Sequence, residues 1–217
     1  MPTQSDLISA AQSGDMNRVR RMLQEDPALA SSRDTTGVSA VMHALYRRQP
    51  EIANLLVSSK PQLDIFEATA AGKADVVSKI LTEDSDAAKC WSADGFTALH
   101  FAAFFNHPEI ARDLIRRGAD ISAVARNPMK VMPLHSATAA HSREIVRLLL
   151  EQGAPADARQ QDGWTALHAA AQDGDVEMAR DLLEYRADPQ ARNDEGKTPA
   201  DIAAEKGHQE IVKLLSK

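Results

Sequence analysis

A pattern repeated along the chain restricts its fold more than any other feature. Asp94 opens DGFTALHFAA, Met132 opens MPLHSATAA, Asp162 opens DGWTALHAAA and Glu195 opens EGKTPADIAA. Each block precedes a second apolar run, in chain order HPEIARDLIRRGAD, SREIVRLLLEQGA, DVEMARDLLEYRAD and HQEIVKLL. The apolar residues of these runs recur every third and fourth position, the spacing of an amphipathic helix, so each unit reads as a pair of helices. The equivalent apolar position falls at Leu7, Val41, Ile65, Leu99, Leu134, Leu167 and Ala200, which gives about seven units at spacings of 34, 24, 34, 35, 33 and 33 residues. One helix pair cannot bury its own apolar face, so successive units must stack to make a core.

Local chemistry agrees with this register. Thr97, Thr165 and Thr198 stand where a helix N-cap is required, and Pro133 and Pro199 occupy the next position, where a missing N–H is harmless. Pro50 and Pro108 open second helices in the same way. The 24-residue step between the second and third units is the exception. There Lys60, Pro61 and Gln62 leave too little chain for a projecting hairpin, so one finger is expected to be missing.

Composition narrows the function classes. Against 31 acidic residues stand 25 Lys and Arg, and the net charge of −6 works against nucleic-acid binding, which depends on neutralising phosphates. The single cysteine, Cys90, allows no internal disulfide and no thiolate cluster, and reads as a small packing residue. No apolar run approaches the roughly 18 residues of a membrane span, and the first residues lack a secretory pattern. A cytoplasmic, membrane-free protein is expected.

The G-x-T-A/P-L-H-x-A-A and E-I-V-x-L-L-x-x-G-A-D strings resemble ankyrin repeats, most specifically from the fourth unit onward, and DIFEATAAG, then DGFTALHFAAFFNHPEIA, then RNPMKVMPLHSA are similar to bacterial ankyrin-repeat proteins in particular. The resemblance implies an all-α ankyrin-repeat solenoid of about seven stacked helix pairs with short β-hairpin fingers. It would form a single domain over residues 1–217, with units near 1–33, 34–59, 60–91, 92–124, 125–159, 160–192 and 193–217. It also implies a soluble protein-binding module with a concave face and no shared chemistry.

A search for catalytic or metal-binding groups finds residues that the repeat already accounts for. His100, His135 and His168 share one repeat position and His107 and His208 another, so they read as structural groups bonding backbone across the turn. His43 and His141 have no carboxylate or cysteine at metal-ligand spacing. No cofactor, metal site or catalytic residue is expected. The informative residues are the large apolar ones at positions expected to be exposed: Tyr46, Phe96, Phe104, Phe105 and Trp164, where an ankyrin repeat turns toward its groove, and Trp91, in the finger strand just before a turn. Met129 and Val131 join them, because RNPMKVM replaces the usual turn before the fifth unit and puts Met132 where a capping Thr belongs. The resulting expectation is a monomeric, non-catalytic adaptor or inhibitor that holds a protein partner on its concave face. A self-associating structural module and, less favoured, an enzyme with an unrecognised groove site are the alternatives.

Overall fold

The computed structural model describes residues 2–216. Seven helix pairs follow one another among these residues: α1 (Gln4–Ser13) with α2 (Met16–Glu25), α3 (Ala40–Tyr46) with α4 (Pro50–Ser59), α5 (Ile65–Ala70) with α6 (Ala74–Glu83), α7 (Ala98–Phe104) with α8 (Pro108–Arg116), α9 (Pro133–Ala139) with α10 (Arg143–Glu151), α11 (Ala166–Asp173) with α12 (Val176–Glu184), and α13 (Pro199–Lys206) with α14 (Gln209–Leu215). The fold is all-α, as the periodicity requires. The hairpin fingers are shorter than expected: among the described residues they make only isolated antiparallel pairings, Arg33 with Ser39 and Trp91 with Thr97. Each finger reverses after a few residues, too few to build a ladder.

Two compact units divide the chain at the start of α7, one ending at Ala98 and the other beginning at Leu99. In the first, α1 packs on α2 and α3, α3 on α4 and α5, and α2 on α4. In the second, α9 packs on α10 and α11, α11 on α12 and α13, α8 on α10, and α12 on α14. First helices thus meet first helices and second meet second, in two layers. Alanines let the first helices approach closely: Ala10, Ala40, Ala44, Ala137 and Ala171 are wholly buried. Leucines and branched residues of the second helices fill the space behind them, with Leu56, Leu149 and Leu182 also wholly buried. Of the register residues, Leu7, Val41, Ile65, Leu99, Leu134 and Leu167 are buried, whereas Ala200 is only half-buried.

Thr165 and Thr198 cap α11 and α13, accepting from the His168 and Asp201 amides at 3.4 and 3.2 Å. Met132 takes the same extended conformation before α9 (φ −101°, ψ 167°) but its side chain makes no capping hydrogen bond.

The missing finger is absent where the 24-residue step puts it. Residues 60–64 run directly from α4 to α5, and Asp64 caps α5 by accepting from the Phe66 and Glu67 amides at 2.9 and 2.8 Å. Lys60 turns inward and donates to both oxygens of Glu67 at 2.6 and 2.8 Å, in a pair whose side chains are only 5 and 1% exposed. The fingers on either side close the gap. A Cβ placed on Gly37 would lie 3.1 Å from the Ala93 Cβ, and the Tyr46 hydroxyl donates to the Asp94 carboxylate.

Candidate partner-binding surface

The fingers of the second unit are held by the repeat histidines. Nε2 of His100 donates to the Val131 carbonyl at 3.1 Å, that of His135 to Ala158 at 2.9 Å, and that of His168 to Lys197 at 3.1 Å. These bonds join each first helix to the chain of the following repeat, so they reach further than the local backbone bonds expected from sequence. Nδ1 of His135 and of His168 accepts from the residue before its own helix, from the Met132 amide at 3.0 Å and the Thr165 amide at 3.2 Å. A ring that donates at one nitrogen and accepts at the other is neutral. Burial, only partly offset by the bond to Val131, lowers the His100 pKa to about 4, and burial lowers His135 and His168 as well.

Finger also bonds to finger. The Gln161 amide donates to the Met129 carbonyl and the Asp194 amide to the Asp162 carbonyl, each at 2.9 Å. The RNPMKVM segment is part of this order: Ala125 donates to the Val131 carbonyl at 2.7 Å, and Asn127 Oδ1 accepts from the Met129 amide at 3.1 Å. Gly163, at φ +71°, takes a conformation that β-carbon residues adopt only under strain.

Met129, Val131 and Trp164 come together here. They line a cleft of about 290 Å³ with Gln160, Gln161, Asp162 and Gln172. Met129 is 51% exposed, and Trp164 is half-buried with its ring 5.7 Å from that of His168. Val131 contradicts its expectation as surface: it is 6% exposed, because pairing with Ala125 turns its side chain into the core. On α7, Phe104 is 47% exposed and stands edge-on to the half-buried Phe105 at 5.2 Å. Phe105 in turn lies 6.5 Å from the buried Phe101, so one ring of this cluster anchors it and another projects.

In the first unit Tyr46 is 37% exposed. Its hydroxyl is nevertheless tucked against Asp94, and this burial, followed by the carboxylate itself, pushes its pKa above the phenol range. Trp91 and Phe96 are half-buried. The pairing of Trp91 with Thr97 and the bond from the Ser92 amide to the Phe96 carbonyl at 2.8 Å hold them in the finger. Four of the six aromatics expected to be exposed, Trp91, Phe96, Phe105 and Trp164, are therefore half-buried.

Other polar groups were placed by tertiary structure alone. His43, without a carboxylate at ligand spacing, lies 2.7 Å from Asp34 and 3.0 Å from the Gln12 amide. Burial raises the Asp34 pKa, but bonds from Thr36, His43 and Val38 outweigh it and hold this carboxyl well below the ordinary range. Asp181 is buried on α12 between Arg143 and Arg147 of α10, with Arg147 at 2.7 Å. No group of three or more metal-ligating side chains occurs among the described residues. Cys90 is exposed, contrary to a packing role, because it follows the 3-10 turn Ser85–Lys89 at the start of a finger. Sequence reasoning missed the glutamines that rim the cleft. It also missed Val124, which is 43% exposed; a valine outside the helix register was its only signal.

Stacked helix pairs with paired fingers define a helical-repeat protein. The family model for ankyrin repeats in three copies matches residues 134–217, and the model for a single ankyrin repeat matches 94–126, together more than half of the chain. The chain belongs to the ankyrin-repeat family. Over 74 residues, 34% of the chain, it is 45% identical to human neurogenic locus notch homolog protein 4, covering 4% of that protein. Over 140 residues, 61% of the chain, it is 29% identical to mouse ankyrin repeat and SAM domain-containing protein 6, covering 16% of it. It is 26% identical to the probable E3 ubiquitin-protein ligase XBOS32 of rice over 198 residues, 73% of the chain and 40% of the relative. The chain thus spans less than half the length of each of these relatives. They come from animals and a plant, and the expected particular likeness to bacterial proteins finds no support in them. No helix among the described residues is long and apolar enough to cross a membrane.

Proposed function

We propose that this chain is a monomeric, non-catalytic protein-binding module, an adaptor or inhibitor acting in the cytoplasm, which holds its partner on the finger and first-helix face. The observation that carries this reading is the cleft in which exposed Met129 and half-buried Trp164 meet a rim of glutamines and Asp162. Apolar side chains set among polar ones are common at protein contacts, where aromatic residues supply much of the energy. Exposed Phe104, edge-on to Phe105, adds a second apolar anchor in the same unit. Against an enzyme stands the use of the buried histidines, whose ring nitrogens bond the backbone of their own and the following repeat.

The test is a pull-down from native extract with wild type and with Met129→Ser/Phe104→Ser. Both side chains are about half exposed, so the variant should fold, which circular dichroism checks. Loss of a wild-type band from the variant supports the reading, and retention of the same bands by both proteins refutes it. Size-exclusion chromatography across concentrations addresses the monomer: a mass of 23.6 kDa throughout agrees with it, and a rising mass favours self-association.

A further inference from the structure

The first unit contains a groove that follows from the missing finger. In the neighbouring repeats a short 3-10 turn fills the space behind the second helices. Pro27–Ser31 packs on α2 and α4 and buries Leu29 and Ala30, and Ser85–Lys89 packs on α6 and buries Ala87 and Ala88. Each turn opens on an aspartate, Asp26 or Asp84, that accepts from the amide two residues on at 3.0 Å. After α4 no such turn exists, since residues 60–64 pass straight to α5. The equivalent space, between α4 and α6, is a groove of about 360 Å³. Val57, Leu63, Val76 and Ile80, all half-buried, give it an apolar floor.

We propose that this groove binds a short segment of a partner protein in which an acidic residue precedes a pair of aliphatic ones, taking the place of the absent turn. The two filled repeats supply the template, Asp-Pro-Ala-Leu-Ala in one and Asp-Ser-Asp-Ala-Ala in the other. Charge complementarity points the same way. Lys73 and Lys79 stand at the groove, and Lys73 has no ion-pair partner among the described residues. Lys79 is 3.9 Å from Glu83, the one acidic residue lining the groove, and its side chain is 75% exposed. Lys60 is already neutralised by Glu67 and makes no demand of its own. The site is distinct from the Met129 and Trp164 cleft, so either can fail without the other.

The probe is a fluorescein-labelled peptide with the sequence of residues 24–32, QEDPALASS, titrated with the full chain at low salt and read by fluorescence anisotropy. Saturable binding is expected, weakened about fivefold or more by Lys73→Glu/Lys79→Glu, two accessible charge reversals. Binding should fall further when Leu29 and Ala30 of the peptide become serine, and Met129→Ser should leave it unchanged. Amide shifts in NMR spectra should cluster on Val57, Val76 and Ile80. The proposal is overturned by absence of saturation at millimolar peptide, by equal affinity in the charge-reversed chain, or by shifts centred elsewhere. A concentration-dependent dimer abolished by Lys73→Glu/Lys79→Glu would overturn it as well, by assigning the groove to a second copy.

Discussion

Lowering the pH from 7 to 5 should destabilise the second unit through His100. Its ring is 1% exposed, it donates to the Val131 carbonyl, and burial holds its folded pKa near 4 against an ordinary 6.5. Above pH 6.5 the ring is neutral in both states and the bond contributes in full. As the pH falls below 6.5 the unfolded chain takes up a proton that folded His100 refuses, so stability declines until the pH passes through about 4, below which both states are protonated. At pH 5 the resulting loss is about 2 kcal/mol relative to pH 7. His135 and His168 are shifted in the same direction and add to it. Asp34 and Asp181 also sit below their ordinary values, but the stability they contribute is lost only near and below pH 4, outside this window. Urea unfolding at both pH values, followed by circular dichroism, compares wild type with His100→Gln, which cannot titrate. Wild type should lose about 2 kcal/mol more than the variant between the two pH values. Equal losses in the two proteins would refute the linkage argued from His100.

Three further outcomes follow from local geometry. Lys60→Met leaves the buried Glu67 carboxylate only the Asp64 amide at 3.2 Å and the Arg33 guanidinium at 4.0 Å, and should cost about 3 kcal/mol, most of it recovered by adding Glu67→Gln; a double-mutant cycle by urea denaturation checks this, and no rescue would count against the buried pair. Met132→Thr puts a capping oxygen into a backbone already shaped like that of Thr165 and should raise stability by about 1 kcal/mol in the same assay, with no gain refuting the cap argument. Gly163→Ala forces a β-carbon into the left-handed region and within 2.3 Å of the Asp194 carboxylate, so the melting temperature should fall by the equivalent of about 1–2 kcal/mol; an unchanged value would mean the finger relaxes freely.

What the sequence determined by itself is everything that depends on neighbours along the chain. Helix pairs follow from apolar spacing, the caps at Thr165 and Thr198 from short-range hydrogen bonding, and the missing finger from the length available between α4 and α5. Repeat architecture makes this possible, since contacts run between adjacent units and the register carries most of the fold. Exposure was decided only in three dimensions. The same register that places Phe104 and Phe105 side by side leaves one projecting and the other packed toward Phe101, and it gave no sign that Val131 turns inward while Met129 turns out. The partners of Lys60, Asp181 and His43 were likewise settled by tertiary structure, because a buried charge takes whichever opposite group the packing brings within reach, whatever its place in the sequence.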